Sequence, residues 1–239
     1  MISFRNQNNY ANEFTSEALS GNDTDHLIDK ITPYSDLYRN SIVLSIGPPG
    51  TAKTTHFMKE MFMISESIPY LKSNSVECIF YVTNKEKDRP FDKMVPYIKI
   101  RIHKITYEDL NESLEEYIQH KLSNPETENK QTIIFCDDAA SRFDSKNKKM
   151  IQLMTQLRHF KCMFFICVQS WKMISPEVKS IVSVVYLAPG LNELDFRYMK
   201  SQLTNMSIPF EELKNMYKQI PSNHKKLMID CRTGETKFV

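Results

Sequence analysis

Glycine is scarce in this chain, with 5 residues among 239, beside 11 prolines. Collagen-like and Gly/Pro low-complexity architectures are excluded. Net charge is almost absent: 31 basic residues face 29 acidic ones, a balance of +2. A bulk polycation is excluded too, so contact with nucleic acid would need local clusters of charge. Cysteine is sparse and odd in number, with Cys78, Cys136, Cys162, Cys167 and Cys231. Their spacing matches neither a zinc ribbon nor a small disulfide framework. Three sit inside apolar, strand-like runs, where a thiol acts as a small buried hydrophobe. Reduced cysteines in a cytosol-like compartment are therefore expected. No apolar run approaches the ~18–20 residues of a membrane span; the longest, Cys162 to Val168, is strand-sized. The opening Met-Ile-Ser-Phe-Arg-Asn-Gln-Asn-Asn has no charged region followed by an apolar stretch, so no secretory signal is expected.

What remains is ordinary for a globular protein: 41% hydrophobic and 25% charged residues. The length corresponds to about 1.6 nominal domains, which fits one large domain with an arm or a small lobe. Residues 1–38 are polar, rich in Asn, Asp, Ser and Thr, and without a sustained period. They read as an N-terminal arm. Residues 39–239 read as one further unit, with its motifs within about 40–190.

In that unit strands alternate with helices. Ser41–Ile46, Val76–Val82, Thr132–Cys136, Cys162–Val168 and Val182–Leu187 are short apolar runs that read as buried strands. Lys53 to about Ser65 reads as a helix with Phe57, Met58, Met61 and Phe62 on one face. Tyr97–Ile105 alternates isoleucine with lysine and arginine and reads as an exposed or edge strand. Thr106 is a candidate N-cap for a helix from Tyr107 to about Leu122, and a helix is expected from about Lys148 to His159. Ser175-Pro176-Glu177 starts another helix. Two helical segments and a strand pair, Lys226–Asp230 and Lys237–Val239, complete the chain. The alternation predicts an α/β fold with a mostly parallel central sheet flanked by helices.

The strongest feature is Gly47-Pro48-Pro49-Gly50-Thr51-Ala52-Lys53-Thr54-Thr55, between a buried strand and a helix. There a loop turns successive backbone N–H groups inward, and the helix N-terminus adds its positive end. Lys53 would reach the β- and γ-phosphates of a nucleotide, and the Thr54 hydroxyl would ligate Mg²⁺. Ala52 replaces the usual glycine before the lysine; its methyl group fits if the residue keeps helical dihedrals.

Asp137-Asp138 end an apolar strand. Asp137 would hold the metal, and Asp138 would orient or deprotonate an attacking water. Gln169 ends the next apolar strand. In a parallel sheet the strand ends share one edge, so Gln169 would sense the γ-phosphate or the water. Arg158 has two readings: it caps its own helix, or it enters a neighbouring subunit's site as an arginine finger. Arg142 is the rival finger. Lys146-Asn-Lys-Lys149 and His224-Lys-Lys226 are basic clusters, either solvated faces or contacts to DNA phosphates. Trp171 reads as a packing residue.

Taken together, Gly47–Thr55, Ile133–Asp138, Leu157-Arg-His-Phe-Lys161 and Phe164–Gln169 followed by Ser-Trp-Lys-Met-Ile-Ser-Pro176 resemble the viral genome-packaging ATPases of the FtsK–HerA superfamily. Those occur in poxviruses, giant viruses, virophages and internal-membrane phages. The resemblance covers roughly residues 40 to 190. It implies a RecA-like ASCE P-loop fold and hydrolysis of ATP, with Mg²⁺, coupled to translocation of double-stranded DNA into a preformed capsid. It also implies a homo-oligomeric ring of five or six subunits and a capsid vertex or portal as partner. The place of action would be the host cytoplasm or a viral factory, or the virion itself. Ala52 depart from the family pattern, as does Asp138 in place of a more usual Glu.

Two other classes compete. An AAA+-like ATPase shares the loop pattern, but Gln169 stands where Asn or Thr is typical, and the tail ends in strands rather than a helical lid. A nucleotide-binding clamp with little turnover is consistent with Ala52 and Asp138. A GTP-dependent switch is rejected: Asn84-Lys-Glu-Lys87 lacks the final Asp of a guanine reader and precedes the acidic strand.

Overall fold

The computed structural model describes residues 40–67, 76–98, 100–124, 130–138, 148–203, 208–221 and 225–239. The predicted arm at 1–38, Arg142, Lys146 and His224 lie outside the described residues.

In chain order the elements are β1 (Ile42–Ile46), α1 (Lys53–Ser67), β2 (Val76–Val82), α2 (Arg89–Met94), β3 (Arg101–Ile105), α3 (Leu110–Leu122) and β4 (Gln131–Cys136). Then come α4 (Lys148–Thr155), α5 (Leu157–Phe160), β5 (Cys162–Val168), α6 (Pro176–Lys179), β6 (Val184–Leu187), α7 (Glu193–Gln202), α8 (Phe210–Lys218), β7 (Leu227–Asp230) and β8 (Thr236–Phe238). Among the described residues the eight strands form one sheet, ordered β3-β2-β4-β5-β1-β6-β7-β8. The strands from β3 to β6 pair in parallel, whereas β6–β7 and β7–β8 are antiparallel. The α/β expectation is met.

The central strands are apolar throughout because helices cover both faces of the sheet. Along β1, Ile42, Leu44 and Ile46 face a core built with Leu110, Leu114 and Ile118 of α3, Phe196 and Met199 of α7, and Leu213 of α8. Val43 faces the opposite core, built with Phe57, Met58, Met61 and Phe62 of α1 and Phe91 of α2. Phe57 is fully buried and meets Phe135, Phe165 and Tyr186 edge-on, which fixes α1 over β4, β5 and β6. β3 lies at the sheet edge with Arg101 and Lys104 exposed, as the alternation predicts. All five cysteines are buried and unbridged.

Two local expectations are corrected, and one helix is new. The helix after β3 begins at Leu110, with Asp109 as N-cap. Thr106 instead closes the preceding turn, its hydroxyl donating to Asp109 Oδ2 at 2.6 Å and accepting from Asp109 N at 3.3 Å. The helix expected from Lys148 to His159 is broken at Gln156, whose ψ of 23° is not helical, giving α4 and α5. α5 then stops at Lys161, which takes a left-handed conformation with φ 51°. The short α2, which carries no apolar period, was not anticipated. It starts on Asp88, whose carboxylate accepts from Phe91 N, with Pro90 in its first turn.

Candidate functional site

Parallel pairing brings the C-terminal ends of β1, β2, β4, β5 and β6 to one edge of the sheet. Residues 47–55 follow β1, Lys85 follows β2, Asp137 and Asp138 follow β4, Gln169 follows β5 and Ala188 follows β6. Residues far apart in the chain therefore line one site.

The loop is tightly seated. Gly47 N donates to Val168 O at 3.2 Å, and Ala188 N donates to Ile46 O at 2.8 Å. A Cβ on Gly47 would lie 2.5 Å from the Ala188 Cβ, so this position admits no side chain without movement. Thr51 Oγ1 closes the loop by donating to Pro48 O at 2.8 Å. Gly50 has φ 78°, a conformation suited to glycine. Ala52 has φ 54°. The expectation that it keeps helical dihedrals is thus corrected: it adopts the left-handed conformation, at a cost of about 1–2 kcal/mol for a residue with a Cβ. The hydrogen bond from His56 N to Ala52 O, 2.9 Å, shows that α1 grows directly from it.

Lys53 Nζ donates to Gly47 O at 2.7 Å and Pro48 O at 2.9 Å, so its ammonium lies over the loop. Burial pulls its pKa down, and the charges of Asp137 and Asp138 offset part of that. Thr54 Oγ1 donates to Asp137 Oδ1 at 2.7 Å, joining the loop to the acidic strand end. Thr55 follows, half-buried in the first turn of α1. Asp138 is exposed, with φ 52°, a conformation Asp tolerates better than most residues. This turns its carboxylate toward Gln169, whose Nε2 donates to Asp138 Oδ1 at 3.3 Å.

Asp137 is buried among partners that spacing does not reveal. Lys85 Nζ pairs with Asp137 Oδ2 at 2.6 Å. Burial lowers the Lys85 pKa, but the hydrogen bond and charge of Asp137 outweigh it, and the net shift is upward. Tyr81 OH donates to Asp88 Oδ2 at 2.5 Å and lies 3.5 Å from Asp137 Oδ2. Tyr107 OH donates to the Asp137 carbonyl at 2.8 Å. Burial first, then the Asp137 charge, pushes the Tyr81 phenol well up, so it stays protonated and donates. The only textual hint was the string Asn84-Lys-Glu-Lys87, which fails as a guanine reader.

The Thr54 hydroxyl and the Asp137 carboxylate are adjacent hard oxygen donors beside the phosphate loop. That set fits Mg²⁺ held by few protein groups, water and phosphate. Among the described residues there is no group of three or more His, Cys, Asp or Glu side chains suited to an all-protein metal cage.

Other candidates fall elsewhere. Arg158 is exposed in α5, beyond the N-terminal end of β5. One strand length, roughly 20 Å, separates it from the loop edge, so it does not reach its own chain's site. Lys148 and Lys225 are exposed, but Lys226 is fully buried, and it does not belong to a surface cluster for DNA. Trp171 is buried and donates to Gln202 Oε1 at 2.7 Å, a packing role. Arg197 pairs with Glu193 at 3.3 Å on the surface of α7.

No family model matches the chain, and no curated protein does. Solved structures do. The genome packaging NTPase B204 of Sulfolobus turreted icosahedral virus 2, in complex with sulfate, aligns with a TM-score of 0.56 at 14% identity. That alignment covers 83% of this chain and 95% of B204. The same NTPase in complex with AMPPCP aligns at 0.55 and 16% identity, covering 83% and 96%. The cytoplasmic domain of the type VII secretion ATPase EccC from Thermomonospora curvata aligns at 0.50 and 13% identity, covering 79% of this chain and 24% of EccC. The chain therefore has the fold of the P-loop NTPases, and its structural neighbours include the viral genome-packaging NTPases that its motifs resemble.

Proposed function

We propose that the chain is an ATP-hydrolysing motor subunit that moves double-stranded viral DNA into a preformed capsid. The carrying observation is the 2.7 Å contact between Thr54 and Asp137, which brings the phosphate loop and the acidic strand end into one site. When bound, Mg²⁺-ATP supplies the phosphoanhydride and the divalent charge that screens its phosphates. Pro48 and Pro49 carry no N–H and the Gly47 N–H is held by Val168 O, so residues 50–55 bind the phosphates through backbone N–H groups, and Lys53 leaves the loop carbonyls for the β- and γ-phosphates. Thr54 and Asp137 hold the metal side. Asp138 takes the proton of the attacking water, and Gln169 positions Asp138 and reports the γ-phosphate. Arg158 serves the site of a neighbour in a ring, with Arg142 as the rival. The capsid vertex, the ring, and action in the host cytoplasm, viral factory or virion follow from the family resemblance.

The AAA+-like alternative is weakened by the tail. β7 and β8 extend the main sheet, and α7 and α8 pack on it, where a separate helical lid would be required. The test is steady-state ATP hydrolysis with and without long linear duplex DNA, with Asp138→Asn as the blank. Turnover stimulated by DNA supports the motor. Turnover indifferent to DNA favours remodelling of another substrate. ATP binding without turnover above the blank replaces the motor with a nucleotide-binding clamp.

A further inference from the structure

The segment after residue 192 carries no recognised motif, yet it delivers a lysine to the phosphate loop. β7 runs antiparallel to β6, with Leu187 opposite Leu227. The start of β7 therefore lies at the same edge as the end of β6, beside the loop. Lys226 precedes β7, and its backbone pairs in both directions with Val239, at 2.8 and 2.9 Å. Its side chain is fully buried, and its ammonium donates to the Thr51 carbonyl at 2.9 Å.

A second buried lysine shows what a purely structural ammonium looks like here. Lys121 gives its protons to Thr132 Oγ1, Phe160 O and Lys161 O, bracing the C-terminal end of α5. The Lys226 ammonium has one acceptor among the described residues, and no described carboxylate forms an ion pair with it. Its charged surroundings are of like sign: Lys53 and Lys59 of α1 oppose its ionisation. His56 does not add to them, because burial and then the Lys226 charge push its pKa down to about 3, leaving it neutral. The Cys167 thiol faces the pair from β5, and burial holds it protonated. Burying an ammonium with one acceptor and cationic neighbours is costly unless an anion completes the site.

We infer that Lys226 is a positioning residue of the phosphate loop and the second cation of its anion site, holding the Thr51 carbonyl turned inward while the loop N–H groups face a nucleotide's phosphates. The inference rests on reading residues 47–55 as a nucleotide site. The geometry gives it a distinctive pH dependence. Burial lowers the Lys226 pKa to about 8. The free protein thus loses this charge as pH rises through about 8, whereas bound phosphate favours the charged form. Affinity for phosphate should be full at pH 7 and decline above pH 8. Burial lowers the Lys53 pKa as well, so the comparison must be made between variants.

The probe is ADP in EDTA, which leaves metal out of the measurement. Its Kd is measured by calorimetry at pH 7.0 and 9.5 for the wild type, Lys226→Met and Lys226→Arg, with thermal midpoints alongside. At pH 7.0 Lys226→Met should weaken ADP about tenfold, the scale of one well-screened charge near a phosphate. Its alkaline decline should be shallower than that of the wild type. Lys226→Arg should restore the affinity to within about threefold and flatten the decline, because guanidinium does not titrate there. A Lys226→Met protein with wild-type Kd and wild-type pH slope, whatever its midpoint, would overturn the inference and leave the nucleotide site standing. A wild type that binds no ADP would remove both readings. If Lys226→Met does not fold, the Lys226→Arg profile against the wild type decides.

Discussion

The Thr54 hydroxyl donates to the Asp137 carboxylate at 2.7 Å across 83 positions of sequence. The contact joins the first turn of α1 to the end of β4, the two places from which a phosphate-bound cation is reached. Asp137→Asn keeps the shape but removes the charge. It should weaken Mg²⁺-ATP by about 10–100-fold, as loss of a group orienting metal-bound water does. ADP in EDTA should bind within about twofold of the wild type by calorimetry. Lys53→Ala differs in kind: it should weaken both ligands and abolish turnover.

Lys85 occupies the other oxygen of Asp137, at 2.6 Å. It competes there with an incoming cation. Lys85→Ala should therefore raise the affinity of the nucleotide-free protein for Mn²⁺, followed by electron paramagnetic resonance titration. The Lys85 side chain is 44% exposed, so the stability change should stay below about 1 kcal/mol. Unchanged Mn²⁺ affinity would show that the pair does not guard the metal side.

Ala52 stands in a left-handed conformation, φ 54°, that glycine adopts without steric cost. Ala52→Gly should stabilise the protein by about 1 kcal/mol, the relieved strain less the added freedom of the unfolded chain. The urea midpoint at constant m-value is the measurement. A loss of stability would place the strain elsewhere.

Gly47 packs against Ala188, where an added Cβ would stand 2.5 Å from the Ala188 Cβ. Gly47→Ala should cost about 1–3 kcal/mol through overpacking. Ala188→Gly in the same chain should recover part of that loss, a coupling a double-mutant cycle reads directly. Strict additivity of the two changes would refute the contact as the cause.

The sequence by itself determined the order of the eight strands and of the longer helices, because fully apolar runs and helical stripes are local patterns; the short α2 and the break between α4 and α5 carry no such pattern. β5 was legible to the residue, since a seven-residue apolar run between a basic turn and Gln169 has few other uses. The loop, the acidic pair and Gln169 were legible for the same reason: each is a short string or a strand end. The left-handed Ala52 was not, since a backbone dihedral forced by the α1 start leaves no mark on residue type. Nor were the partners of Asp137. Lys85, Tyr81 and Tyr107 reach it from β2 and the turn after β3, and only the parallel order β3-β2-β4 sets those ends side by side. Lys226 makes the sharpest contrast. In the text it belongs to a basic surface cluster; in the fold the antiparallel turn of β7 buries it against the Thr51 carbonyl, because strand direction, unlike strand propensity, is settled by long-range pairing.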